Sequence, residues 1–174
     1  MTGEVLLPPL LAAAAILVLA GLAKSWQPEP AIRFAATLAV PLPWLFVRVA
    51  AVVEIVVGLG VLWRPRPAAV AIAVLYALFT GLVARQLRRG GGLPCGCLGD
   101  REVQPSRLHL FLNGACVCVA CLAVFAPPPA FATFAAARPF EAVLVGFAAV
   151  AVALLSQVGL VFAPTIGAWQ GGRA

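Results

Sequence analysis

The sequence predicts an all-α integral membrane protein, a bundle of apolar helices with almost no water-exposed part. Of its 174 residues, 63% are hydrophobic and only 10% are charged, whereas a soluble domain carries roughly 25% charged residues. Five long apolar segments also alternate with shorter polar ones. Because so few charges cannot cover a water-facing surface of this size, the bilayer is the expected solvent.

Each apolar segment is long enough to cross a membrane, since a helix rising about 1.5 Å per residue needs roughly 20 residues to do so. They form one membrane domain over residues 1–174, with a four-helix core and a fifth transmembrane helix, and predict a multi-pass protein of the cell membrane. The predicted spans cover about residues 5–23, 44–63, 68–84, 108–126 and 140–163.

Two long loops lie on the same side of the membrane in this arrangement, because each span reverses the chain direction. The first contains a segment, residues 30–40, with apolar residues at helical spacing, which predicts an interfacial helix. The second covers residues 85–107. On the other side, Arg64-Pro65-Arg66-Pro67 is interpreted as a helix-breaking turn.

The second loop holds the strongest chemical signal, Cys95-Gly96-Cys97. Two cysteines this close can form a strained disulfide, and strained, exposed disulfides tend to be redox-active. Arg101, Arg107 and the positive end of the following helix are expected to favour a thiolate. The alternatives are two structural cysteines or a partial metal site with His109; no metal is predicted, because zinc normally takes four ligands.

A few polar residues lie in or beside the predicted spans. Glu54 is well inside the second span, where a carboxylate should face the bundle and have a partner; Arg48 is the candidate. Lys24 ends the first span and is expected to extend to the lipid headgroups. His109 and Asn113 are four residues apart and so share a helix face.

Three further cysteines, Cys116, Cys118 and Cys121, lie within the fourth span. Apolar cysteines are usually small buried residues, which is the favoured interpretation. Cys118 and Cys121 share a face, and the alternative is that they relay electrons from the loop pair.

Three pieces of this pattern together resemble one known family. Gly21-Leu-Ala-Lys24 closes the first span, Glu54 precedes Gly58 in the second, and Pro94-Cys-Gly-Cys-Leu-Gly99 precedes the fourth. Over roughly residues 10–125 the chain resembles the methylamine-utilisation protein MauE family, within the wider DoxX-like group of redox-associated membrane proteins.

The resemblance implies a redox bundle similar in plan to DsbB-like and vitamin K epoxide reductase-like proteins. It also implies a role in maturing the disulfide-rich small (beta) subunit of methylamine dehydrogenase, which is exported. Cys95 and Cys97 match the family's cysteine pair, and Lys24 and Glu54 match its polar positions. The chain departs from the family in having Leu98 where Phe is common, and Leu112 before Asn113 where Arg is common.

The net charge of +6 predicts topology signals and headgroup contacts, not nucleic-acid binding, because the basic residues lie between apolar segments. Nine of the twelve lie on the cysteine-loop side, which the positive-inside rule assigns to the cytoplasm. Disulfide chemistry on an exported client would instead need that loop outside. The nine are Lys24, Arg33, Arg48, Arg85, Arg88, Arg89, Arg101, Arg107 and Arg173.

The sequence therefore favours a membrane protein that exchanges electrons between Cys95/Cys97 and a thioredoxin-like partner or a client disulfide. By analogy of architecture, a quinone near Glu54 and His109 is a candidate cofactor. The competing hypotheses are a non-enzymatic membrane scaffold or chaperone for a maturation partner, and a small transporter. Against transport, paired broken helices of the kind that mark transporter sites are not apparent in the sequence.

Overall fold

The computed structural model describes residues 3–37, 43–89 and 106–171, and every long element in these ranges is a helix. No β-strand occurs in them, so the all-α prediction is confirmed. After a short 3-10 turn, Glu4–Leu6, the helices are α1 Leu7–Trp26, α2 Glu29–Thr37, α3 Trp44–Gly60, α4 Pro65–Arg88, α5 Arg107–Phe125, α6 Phe131–Ala137 and α7 Pro139–Gly171.

Four segments are long and apolar enough to cross a membrane: Glu4–Trp26, Pro65–Arg88, Arg107–Phe125 and Pro139–Leu160. The chain is therefore a multi-pass helical membrane protein. The second predicted span corresponds to α3, whose 17 residues give a length of about 26 Å at 1.5 Å per residue. A complete crossing by α3 stays a prediction.

Proline and polar capping residues set several helix ends. Pro65 and Pro67 lie in the first turn of α4, where a missing N–H costs no hydrogen bond. The basic Arg-Pro repeat is thus mainly the start of α4 and not a separate turn. At the start of α5, the Ser106 hydroxyl accepts a hydrogen bond from the His109 backbone N–H at 3.4 Å, as an N-cap does.

Helix α1 lies at the centre of the bundle and packs most extensively on α3 and α7. Glycine permits the close approach to α3. A Cβ on Gly21 would lie 2.7 Å from the carbonyl oxygen of Ala51, and a Cβ on Gly58 would lie 2.8 Å from that of Ala14. Small residues at helix contacts are typical of membrane bundles, where backbone packing replaces the hydrophobic effect.

Two short helices accompany the long ones. The predicted helix in residues 30–40 is present as α2, and its placement at the membrane surface stays a prediction. Helix α6 is absent from the sequence-based prediction, which has only a proline-rich connection there. Its Ala132 N–H donates to the carbonyl of Leu62 at 3.1 Å, so a tertiary contact at the end of α3 supports this seven-residue helix.

Candidate functional site: a buried polar cluster in the bundle

Lys24 and Glu54 form an ion pair inside the bundle. The Lys24 ammonium donates to both carboxylate oxygens of Glu54, at 2.5 and 2.7 Å. The two residues are only 7% and 2% exposed. Two opposite charges held this close present little net charge to the surrounding hydrocarbon, which is what makes either one tolerable there.

This arrangement corrects two predictions. Glu54 is paired with Lys24 and not with Arg48, whose guanidinium instead lies 4.9 Å from the ring centroid of Trp44. Lys24 does not extend to the headgroups. Because Cα–Cβ bonds tilt toward the N-terminus of a helix, a lysine near the end of α1 is directed back into the bundle.

Two aromatic residues of α4 complete the surroundings of the ion pair. The Lys24 ammonium lies 4.9 Å from the ring centroid of Phe79, a cation–π distance. Tyr76 packs edge-on against Phe79, and its hydroxyl donates to the Ala13 carbonyl at 2.8 Å. The pair is therefore enclosed by α1, α3 and α4.

His109 is the second feature of the cluster. It is 4% exposed, and its Nδ1 lies 3.2 Å from the Ser106 hydroxyl. Its Nε2 is buried and has no hydrogen-bond partner within the described part of the chain. Most buried polar atoms in proteins have a partner, so within the described part of the chain Nε2 has unused hydrogen-bonding capacity.

A cavity of about 50 Å³ joins these features. Its polar lining comes from Lys24 of α1, Tyr76 of α4, His109 and Asn113 of α5, and Gln157 of α7. The prediction that His109 and Asn113 share a face is confirmed. The cavity lies beside the first turns of α5, the helix that follows Cys95 and Cys97 in the sequence.

The other predicted site residues are not part of this cluster as described. Cys95, Cys97 and Arg101 lie outside the described residues, and Arg107 is exposed at the start of α5. The interpretation of the α5 cysteines as buried is wrong for Cys118 and Cys121, which are exposed on the apolar surface; Cys116 is half-buried, and all three are free thiols.

Sequence reasoning missed Tyr76, Phe79 and Gln157. Tyr76 is the chain's only tyrosine, and a phenol within a span needs a hydrogen-bond partner, so it could have been singled out. Gln157 is a lone amide within an apolar helix, which is a comparable signal. Phe79 carries no such signal, because one phenylalanine among many is typical of a lipid-facing helix.

The fold and this cluster define a helical membrane protein with a charge pair and a histidine-lined cavity in its interior. The family model described as "Methylamine utilisation protein MauE" matches residues 4–126. The chain belongs to this family. No curated protein and no solved structure matches it.

The matched region ends directly after α5, so it contains the ion pair and His109 but not α6 or α7. Gln157 and Leu160 of α7 nevertheless line the same cavity as His109. The family core thus carries most of the cluster, and α7 closes one wall of it.

Proposed function

We propose that the protein supports disulfide formation in an exported client by thiol–disulfide exchange at Cys95 and Cys97. The observation that carries the proposal is the Cys-Gly-Cys sequence ten residues before α5 in a chain of the MauE family. The buried cluster is consistent with this proposal, because its residues on α4 and α5 fix the two helices that flank the loop.

The exchange has two balanced steps. A client thiolate attacks the Cys95–Cys97 disulfide, and a second client thiolate resolves the mixed disulfide. The client is then oxidised, and the pair holds two electrons and two protons as two thiols. One of these thiols loses its proton and, as a thiolate, attacks the disulfide of a thioredoxin-like partner; the other resolves that intermediate. The partner leaves with the two electrons and two protons, and the pair returns to its oxidised form.

The small subunit of methylamine dehydrogenase is the proposed client, because the family is described as serving methylamine utilisation. Oxidation of an exported protein requires an oxidising compartment, so the proposal places the cysteine loop on the outer side. A quinone near Glu54 and His109 is the alternative electron acceptor; it would take two electrons and two protons from the thiol pair.

Replacing the cysteines tests the proposal. Cys95→Ser and Cys97→Ser are each expected to leave the exported small subunit with reduced thiols, which an alkylation gel shift would detect. Cys121→Ser is the matched control, because this cysteine is exposed on the apolar surface of α5, and it should leave client oxidation unchanged.

The result also separates the competing hypotheses. A Cys95→Ser/Cys97→Ser double variant that still oxidises its client would exclude thiol–disulfide exchange and favour a membrane scaffold. A loss of methylamine uptake with normal client disulfides would favour a transporter.

A further inference from the structure

Two neighbouring cavities, together called the cleft, lie between α5 and α7 along α1. One end is the cavity of about 50 Å³ beside His109, and the other is an apolar groove of about 320 Å³. The two share Ile16, and their walls continue along the same helices, from Asn113 to Leu112 on α5 and from Gln157 to Ser156 on α7.

The cleft extends along almost the whole of α1. Its floor begins at Pro8 in the first turn and reaches Lys24 near the last. The rise along the helix from Pro8 to Lys24 is about 24 Å at 1.5 Å per residue. Because α1 is long and apolar enough to cross the membrane, a hydrocarbon chain lying along it would run in the same general direction as the bilayer's own acyl chains.

The two ends differ in chemistry. The groove is lined almost entirely by apolar side chains, among them Ala115, Ala148 and Val152. The cavity is lined by Asn113, Gln157 and His109, and the Nε2 of His109 has no hydrogen-bond partner among the described residues. The cleft is thus amphipathic along its length.

The polar end fits a neutral head. The Lys24 charge is already neutralised by Glu54 at 2.5 Å, so the cavity offers hydrogen bonds without a free charge. Its volume is several times the roughly 10–15 Å³ that one water molecule needs. An oxygen atom of a ligand can therefore enter beside His109.

We propose that this cleft binds a lipid-soluble molecule with a neutral, oxygen-bearing head and a single hydrocarbon tail. The head oxygen hydrogen-bonds to Nε2 of His109, and the tail lies in the groove between α5 and α7. This site stands on the described residues alone and does not require the cysteine chemistry. A quinone and a monoacylglycerol both carry such a head, and the test below distinguishes them.

His109 is the chain's only histidine, which makes it a single-site probe. The full-length protein, labelled with ¹⁵N-histidine and held in phosphatidylcholine nanodiscs, gives one pair of imidazole signals. Titration with decylbenzoquinone or monodecanoylglycerol is expected to shift the Nε2 signal saturably. Decane, which has the tail but no head, should not shift it.

A matched pair of substitutions tests the groove. Ala115→Leu fills it from the α5 wall and should weaken probe binding at least tenfold. Ala77→Leu adds the same bulk to an exposed position of α4 outside the cleft and should leave binding unchanged. Both positions are exposed, so both variants should keep the fold.

The probe that saturates the Nε2 shift at the lower concentration, decylbenzoquinone or monodecanoylglycerol, identifies the ligand class as a quinone or a monoacylglycerol. The proposal is overturned if neither probe produces a saturable shift, if decane shifts Nε2 as much as they do, or if the two leucine variants bind alike. None of these results depends on whether client disulfides form.

Discussion

Lys24 and Glu54 show how two residues that are unfavourable alone become acceptable together. Each charge separately would be costly in hydrocarbon. Their mutual contact offsets much of that cost, but a buried pair is not for that reason more stable than an apolar one. The pair is better understood as fixing how α1 and α3 sit together than as adding stability.

Replacing one member of the ion pair should destabilise the protein more than replacing both. Glu54→Gln or Lys24→Met leaves an uncompensated buried charge, which typically costs about 3–5 kcal/mol. The double variant Lys24→Met/Glu54→Met should recover a large part of that loss. Thermal unfolding of the purified protein in detergent, followed by helical circular dichroism, measures all three.

Glu141→Gln is the matched control for those variants. Glu141 also contacts a cation, with 3.5 Å between its carboxylate and Arg138, but both side chains are about half exposed. Surface pairs contribute little, so its melting temperature should match that of the parent protein. If Lys24→Met/Glu54→Met were as unstable as either single variant, the view that an unpaired buried charge causes the loss of stability would be wrong.

The sequence indicated that Glu54 needs a partner but not which one. Proximity in the sequence favours Arg48, which lies near Glu54 on the same helix, whereas Lys24 is 30 residues away on another. Only the packing of α1 on α3 brings Lys24 into contact. The inward direction of Lys24 could have been predicted, since a lysine near the C-terminal end of a helix points back along it.

At the scale of the helices, the close contact between α1 and α3 depends on two glycines, Gly21 and Gly58. A Cβ on Gly21 would also lie 2.8 Å from Cγ1 of Ile55 and 3.2 Å from Cβ of Glu54. The nearest neighbour of such a Cβ is the backbone carbonyl oxygen of Ala51. Because a backbone atom cannot rotate away as a side chain can, the clash can be relieved only if the helices move apart.

Gly21→Ala is therefore expected to destabilise the protein by about 1–3 kcal/mol, the usual range for overpacking. Gly81→Ala is the control, because a Cβ there meets nothing within 4 Å. That substitution should be neutral or slightly stabilising, since alanine favours helix more than glycine does. Chemical denaturation of the two variants compares them directly, and equal destabilisation would contradict the close approach.

The sequence predicts the helices correctly where apolar composition alone determines them. The long apolar runs gave α1, α4, α5 and α7, since hydrocarbon solvent leaves a helix as the favoured solution. It failed for α6, whose support is a hydrogen bond to Leu62, a residue far away in the sequence. Local pattern carries no information about such a contact.

For the whole molecule, the polar interior is concentrated in one half of the bundle. The ion pair, His109 and the amides of Asn113 and Gln157 all line or adjoin one cavity. The other half is closed by apolar packing around α1. His109, at the polar end, lies in the first turn of α5, and Cys95 and Cys97 precede this helix in the sequence.

The sequence alone supports two opposite orientations of that end. In the predicted five-span arrangement nine of twelve basic residues lie on the loop side, which favours a cytoplasmic loop. Oxidation of an exported client needs an external loop instead. The two expectations cannot both hold, and they differ in one observable, the side on which Cys95 and Cys97 react.

The most direct test labels intact cells with a membrane-impermeant maleimide, before and after mild reduction. It uses a variant in which Cys116, Cys118 and Cys121 are replaced by alanine, so that only Cys95 and Cys97 remain. The account predicts labelling of intact cells that appears only after reduction, as an external disulfide requires. Labelling that needs permeabilised membranes would place the pair inside and contradict the proposed oxidation of an exported client.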